Sequence, residues 1–300
     1  MAASHREVVV IGNVGVDTNV YLPTDRFTGA LESTFTEDLD TIGQAGGYSS
    51  LALAALGSRT GFIGYVGDDP LGRWIDEELA AGGVDRLLFT DPAGTSRSVN
   101  LMARDGTRKN FYDGKSHMTL APDLAACRAF LAGVKLAHVH LPNWARRLLP
   151  VARELGVRVS GDLPDMSGVD DPYRADFIAA AEFLFCSAVN LEPAALAEAL
   201  HARNPRATVV VGMGARGAGL LHGGRFRTFP PADLPGRPVV DTNGAGDCLA
   251  AGFLTAHVLL GKEPEEAVRW GQLAARWACT MRRKWRALAT RDDLAPLLAR

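Results

Sequence analysis

Several things that would have pointed elsewhere are missing from this sequence. No apolar run approaches the roughly 18 residues that a membrane-spanning helix requires. Charge of one sign is not in excess: 32 Lys and Arg face 34 Asp and Glu, a net charge of −2. No global field therefore draws the chain to nucleic acid or to an acidic membrane surface. Cysteine is scarce. Cys127, Cys186, Cys248 and Cys279 lie far apart, and no pair has Cys-x-x-Cys spacing. That argues against a zinc site of that type and for free, mostly buried thiols in a reducing compartment. The first seven residues are short and polar and have no signal-peptide layout. No internal repeat or low-complexity tract is visible. The expectation is a cytoplasmic protein with neither a nucleic-acid nor a membrane partner.

What is present is 300 residues, 47% of them apolar, enough for a large core. Apolar, β-branched runs at 7–12, 59–67, 136–141, 157–163, 183–186 and 208–212 read as buried strands. Helical patterns fall between and after them, at 47–56, 70–81, 122–132, 144–155, 172–181, 193–203, 244–260 and 264–281. Repeated strand–helix alternation predicts right-handed crossovers and a mostly parallel sheet covered on both faces. Ligands then sit at the carboxyl ends of the strands. Two segments break the rhythm, 18–42 and 94–119. Their alternating polar and apolar residues, with Gly and Asp turns, predict a small accessory β-sheet over one edge of the main domain. The main domain is then 1–17, 43–93 and 120–300. Two long surface loops are the alternative, less usual in a compact domain.

One stretch is more informative than the rest: Asp241, Thr242, Asn243, Gly244, Ala245, Gly246 and Asp247, followed by an apolar run. Small residues at a helix start leave its first N–H groups bare, and with the positive end of the helix dipole they favour an anion. Asp247 falls in the first turn, beside any anion bound there. A carboxylate next to a phosphate can take the proton from an attacking hydroxyl, so the motif points to phosphoryl transfer. Asp-Thr-Asn-Gly is equally good turn chemistry, and Asp in a first turn is ordinary capping.

The chain resembles the ribokinase-like, or phosphofructokinase-B, carbohydrate kinases over nearly its whole length. Asp241–Asp247 is similar to that family's C-terminal signature. Residues 42–47, then Leu56-Gly57 and residues 63–72, are similar to its N-terminal region. Residues 12–17 resemble a strand end presenting a sugar-binding Asp, and residues 212–217 the nucleotide-side loop. The resemblance implies a three-layer α/β/α domain with a β lid, ATP as donor, and Mg²⁺. It implies Asp247 as base, with the backbone N–H groups of Gly244, Ala245 and Gly246 as the anion hole. Asp17 and Gly43 hold the acceptor's hydroxyls; from the residues themselves, Gly46 and Gly47, where backbone can approach a ligand closely, and Asn143, just after a strand end, are expected to line the same site. Gly214, Arg216, Gly217 and Thr242 fall on the nucleotide side. The acceptor is a small sugar offering a primary hydroxyl; a nucleoside is the alternative, and a non-catalytic relative the third reading.

The sequence departs from the family in three places. Where the family has Asn-x-x-Glu, this chain has Ser187 to Asn190, so Asn190 or the shifted Glu192 takes the water-mediated Mg²⁺ role. Tyr48 stands where many relatives have Asn. The basic run at 281–286 replaces a Gly-containing turn that often helps hold a monovalent cation, and reads as a solvated helix end.

Among other residues, His138 and His140 lie two apart and face one side of a strand. A metal pair is possible there, but hydrogen-bonded core histidines are favoured, no third ligand being near in sequence. Asp162 ends a strand on the ligand side. Phe27, Phe35, Phe111, Tyr112 and Trp144 are the aromatics available for a nucleoside base or for packing a lid. Arg108, Lys109 and Lys115 in the lid are expected to face water. An open lid edge suits a homodimer.

Overall fold

In the computed structural model of the chain, residues 6–27, 33–104, 108–164, 166, 168–188, 191–282 and 284–298 are described. Alternating apolar residues build the framework. In β1 (Val8–Ile11), Val8 and Val10 enter one core and Val9 and Ile11 the other. A strand buried on both faces lies inside a parallel sheet. β1 pairs in parallel with β4 (Thr60–Val66) and β8 (Leu136–Val139). The parallel sheet continues outward to β5 (Asp85–Thr90) on one side. On the other it runs through β9 (Arg158–Leu163), β10 (Phe183–Ser187) and β11 (Thr208–Gly212). An antiparallel hairpin of β12 (Ala218–His222) and β13 (Arg225–Phe229) completes nine strands. The sequence reading missed β5 and β13. Both carry charged or partly exposed residues at a sheet edge, so neither shows a buried run.

Helices cover both faces. α1 (Gln44–Ala55), α7 (Ala245–Leu254) and α8 (Pro264–Ala278) pack on the side of Val10, Phe62 and Phe185. Gly252 and Gly271 let α7 and α8 approach closely. A Cβ on Gly252 would lie 2.7 Å from the Gly271 Cα. The helix expected across 244–260 ends early, at Leu254, and passes into a single π-helical turn. No helix among the described residues is long and apolar enough to cross a membrane. All four cysteines are buried.

A second sheet has the order β3 (Glu37–Gly43), β2 (Gly15–Tyr21), β6 (Arg97–Met102), β7 (Arg108–Asp113). β2 pairs antiparallel to β3 and parallel to β6. It begins at Gly15, so Asp17 is not at a carboxyl end of the main sheet. The residue sits inside a strand of the small sheet, 3% exposed.

Candidate active site

The site forms where the carboxyl ends of β1, β9, β10 and β11 meet the start of α7 and the inner face of the small sheet. Gly244 caps α7 in the left-handed region, at φ 69°. The Asp241 carboxylate accepts the Asn243 N–H at 2.7 Å and the Tyr21 hydroxyl at 2.9 Å, which pins the turn. The first helical hydrogen bond runs from the Cys248 N–H to the Gly244 carbonyl at 3.1 Å. The N–H groups of Gly246 and Asp247 thus lie ahead of the helical ladder, at the positive end of the dipole. The Ala245 N–H, expected to serve an anion, donates instead to the Thr242 carbonyl at 3.2 Å. A tight turn at Gly244 folds that amide back.

Asp247 is half-buried, and its Oδ1 accepts the Ser49 hydroxyl at 3.0 Å. Burial, then the charge of Asp162 and, more weakly, that of Asp17 hold its pKa well above the usual carboxylate range; the Ser49 hydrogen bond opposes them. Asp17 is also pushed up by burial, against hydrogen bonds from Tyr48 and Asn243. Tyr48 Oη donates to Asp17 Oδ2 at 2.9 Å, and Asn243 Nδ2 lies 3.3 Å from the same oxygen. The other oxygen, Asp17 Oδ1, is buried with no hydrogen-bond partner among the described residues. A buried, unpaired carboxylate oxygen is costly unless a ligand hydroxyl meets it.

Gly43 is what lets this carboxylate fit. A Cβ there would lie 2.2 Å from Asp17 Cγ. Gly46 and Gly47, expected to line the acceptor site, do not face it. The Gly46 N–H donates to the Asn13 carbonyl at 2.9 Å, and a Cβ on Gly47 would meet Val14 at 3.2 Å. Their small size serves the packing of α1 on the sheet. Asn143 is likewise engaged: its amide donates to the Met118 carbonyl at 2.6 Å, tying the chain after β7 to the main domain.

Strand alternation puts Asn19 on the same face of β2 as Asp17. Cross-strand register extends that row through Asn100 and Asn110. The Asn100 amide donates to Asn19 at 3.0 Å and the Asn110 amide to Asn100 at 2.8 Å. The lid reaches down at two further points. Arg108 donates to Asn243 Oδ1 at 2.6 Å, and the Asn13 amide donates to the Tyr112 hydroxyl. Arg108 therefore does not simply face water. The basic run near 281–286 also joins the sheets: Arg282 pairs with Glu37 and stacks over Tyr21, and Arg286 pairs with Glu78.

Of the residues expected on the nucleotide side, Gly214 and Arg216 are exposed in a 3₁₀ turn after β11. Gly217 has φ 94°, and a Cβ would strike the Phe229 carbonyl, so it shapes the hairpin. Thr242 is exposed beside a groove that Tyr21, Met102 and Arg282 also line. Glu192 is exposed at the start of α6 (Pro193–Arg203), after β10, with no side-chain cap bond. Asn190 lies outside the described residues.

Of the aromatics, Trp144 is 1% exposed and packs edge-on to Tyr65, whereas Phe27 and Phe35 are 70% and 99% exposed. Phe111 and Tyr112 are 55% and 44% exposed on β7. Sequence reasoning missed Ser49, Asn243 and Arg108 as site residues. Asn243 lay within the motif itself; Ser49 and Arg108 meet it only through the packing of α1 and β7.

Comparison with known proteins gives concordant results. Residues 6–284 match the description of the pfkB family carbohydrate kinases. The chain is 32% identical over 282 residues to an acarbose 7(IV)-phosphotransferase of an Actinoplanes species, covering 93% of this chain and 94% of that one. A ribokinase of Arabidopsis thaliana is 26% identical, over 89% of this chain and 74% of its own length. Among solved structures, a microbiome-derived acarbose kinase superposes with a TM-score of 0.89 at 33% identity, covering 98% of this chain and 99% of its own. The Arabidopsis thaliana ribokinase complexed with ribose and ATP shares the fold, with a TM-score of 0.78, 22% identity and 98% of each chain covered.

Proposed function

The chain belongs to the pfkB family of carbohydrate kinases, and from that premise we propose that it transfers the γ-phosphoryl group of ATP to a primary hydroxyl of a sugar, with Asp247 as base. The observation that carries this is one pairing: Asp247 beside the open N-terminus of α7, with Asp17 joined to the same turn through Asn243 Nδ2 at 3.3 Å. Asp17 Oδ1 and the asparagine row offer acceptors and donors to the hydroxyls of a polyol. The acceptor's oxygen attacks the γ-phosphorus as its proton passes to Asp247. The bond to the β,γ-bridging oxygen breaks, and ADP leaves. The N–H groups of Gly246 and Asp247 stabilise charge on the transferring group without reorganising; in other enzymes one such donor is worth about 2.7–4 kcal/mol of barrier. Contacts from Arg108 and Tyr112 hold the lid down, which orients the acceptor and excludes water.

The raised pKa of Asp247 suits a base, because it stays ionised above that value yet is more basic than an exposed carboxylate. Gly214 and Arg216, exposed in the turn after β11, and the exposed Thr242 are the residues assigned to the nucleotide's phosphates. Glu192, an exposed carboxylate whose side chain makes no cap hydrogen bond, fits the outer sphere of Mg²⁺, as Asn190 does by position in sequence. Bound Mg²⁺ neutralises charge on the phosphate oxygens. A nucleoside acceptor is disfavoured because the aromatics that would hold a base are dispersed.

The test is ADP release with a panel of pentoses, hexoses, nucleosides and acarbose, the last suggested by the names of two relatives above 30% identity. Wild type should turn over at least one carbohydrate, and Asp247→Ala should lose most turnover while still binding ATP. Full turnover by that variant would refute the role given to Asp247.

A further inference from the structure

Beneath the start of α7, two histidines and a carboxylate converge in the core. β8 and β9 run parallel with His138 opposite Ser160. Strand alternation puts His140 on the same face as His138, and Asp162 on the same face as Ser160. The His140 N–H donates to the Ile11 carbonyl at 2.9 Å, which extends the strand geometry to that residue. The donor atoms of His138, His140 and Asp162 lie within 4.8 Å of one another. His140 Nδ1 and Asp162 Oδ2 are 3.6 Å apart, close to the ~3.3–3.5 Å between ligands of a tetrahedral zinc ion, from its metal–ligand lengths.

Both histidines are buried, at 0% and 3% exposure. His138 Nδ1 is hydrogen-bonded to the Ser160 hydroxyl at 2.7 Å. His138 Nε2 and both nitrogens of His140 have no hydrogen-bond partner among the described residues. A neutral imidazole keeps one ring-nitrogen lone pair for a ligand. Gly12 gives His140 its place, since a Cβ there would lie 2.8 Å from the ring. Core histidines satisfied by hydrogen bonds, the expectation from sequence, would not leave three ring nitrogens bare. The third group is there, contributed by the neighbouring strand.

We propose that His138, His140 and Asp162 bind a divalent transition-metal ion of the zinc type, with a fourth position for water. Two imidazoles and one carboxylate suit zinc or cobalt, whereas Mg²⁺ asks for oxygen ligands in an octahedron. Ser160 fixes the orientation of His138, as partners of ligating histidines do. The Asp162 side chain, 16% exposed, marks the way in from the cleft.

Chelator-stripped full-length protein is titrated with Zn²⁺ in excess Mg²⁺, without nucleotide, by calorimetry. Co²⁺ is followed by its visible absorption. One ion per chain should bind, with a tetrahedral cobalt spectrum. His138→Gln and His140→Gln should each weaken binding at least ~100-fold, and Ser160→Ala about 10–100-fold. Circular dichroism of the stripped variants checks that they fold. If they do not, ¹⁵N spectra of the wild-type histidines should shift on adding Zn²⁺. No binding in excess Mg²⁺, unshifted histidine resonances, or undiminished binding by a folded His138→Gln/His140→Gln double variant would each overturn the assignment.

Discussion

Gly43→Ala should separate acceptor binding from nucleotide binding. The backbone of Gly43 is extended, φ −151°, so a side chain there acts by its bulk alone. Its Cβ would stand 2.2 Å from Asp17 Cγ and 2.5 Å and 2.6 Å from the two carboxylate oxygens. Ordinary contact begins near 3.4 Å, so the carboxylate must move by an ångström or more. Tyr48 and Asn243 hold Oδ2 at 2.9 Å and 3.3 Å, and such a shift takes both beyond hydrogen-bond range. The same movement turns Oδ1 away from the acceptor. Hydrogen bonds to a charged group are worth about 1.5–3 kcal/mol each. Losing one from the acceptor side should lower kcat/KM for the sugar roughly 10–150-fold, at about 1.4 kcal/mol per factor of ten, and losing both proportionally more. The KM for ATP should stay within about twofold, because the proposed nucleotide residues, Gly214 and Arg216, follow β11 and make no contact with Gly43 or Asp17 among those described. The assay is initial-rate ADP release with each substrate varied in turn. Asp17→Ala and the double variant complete a cycle. If Gly43 acts through Asp17, the double variant should be no worse than Asp17→Ala. Additive losses, or an unchanged sugar KM in Gly43→Ala, would refute the reasoning.

Asp247→Asn should abolish most turnover yet raise the melting temperature at neutral pH. A carboxyl whose folded pKa is raised lends stability below about 3.9, its unfolded value, and loses it as pH rises through the folded value. The ionised form is therefore a burden above that pH, and a neutral isostere removes it; melting curves across pH check this, and a gain confined to acid would contradict it. By the same shift, the acid limb of wild-type kcat/KM should fall above the ordinary carboxylate range, and a limb centred near 4 would rule out a perturbed Asp247 as base. Gly244→Ala should destabilise the chain by about 1–2 kcal/mol, through a left-handed residue with a Cβ 3.0 Å from the Tyr48 ring, and lower kcat as well; denaturant unfolding and steady-state rates measure both. Arg108→Ala should raise the sugar KM several-fold at little cost in melting temperature, since it frees the lid from Asn243 without touching the core.

Where residues act over short sequence distances, the site was open to reading. Asp241 through Asp247 form one turn and one helix start, and their chemistry follows from spacing. α2 (Pro70–Ala81) and α6 have the bounds their patterns predict, because Pro opens each helix and fixes its entry. The glycines were harder to read. Gly43, Gly46 and Gly47 look alike in sequence, but one faces a carboxylate and two face packing surfaces, which only the crossing of α1 over β1 decides. Asp17 read as a strand-end residue because Gly15 resembles a turn. In the fold, Gly15 pairs with Gly43 and is already in the small sheet. Arg108 is distant from Asn243 in the chain, and no local pattern predicts their contact.

Sequence by itself determined the alternation that makes the large sheet parallel, the glycine-rich start of α7 and the carboxylate in its first turn. These depend on backbone periodicity and on neighbours within a few residues. Tertiary structure alone decided which second carboxylate faces Asp247, how burial raises both, and that Asp162 completes a group with His138 and His140. Such properties belong to side chains from separate strands meeting in a shared low-dielectric space, and register between strands is set by the packing of the whole sheet.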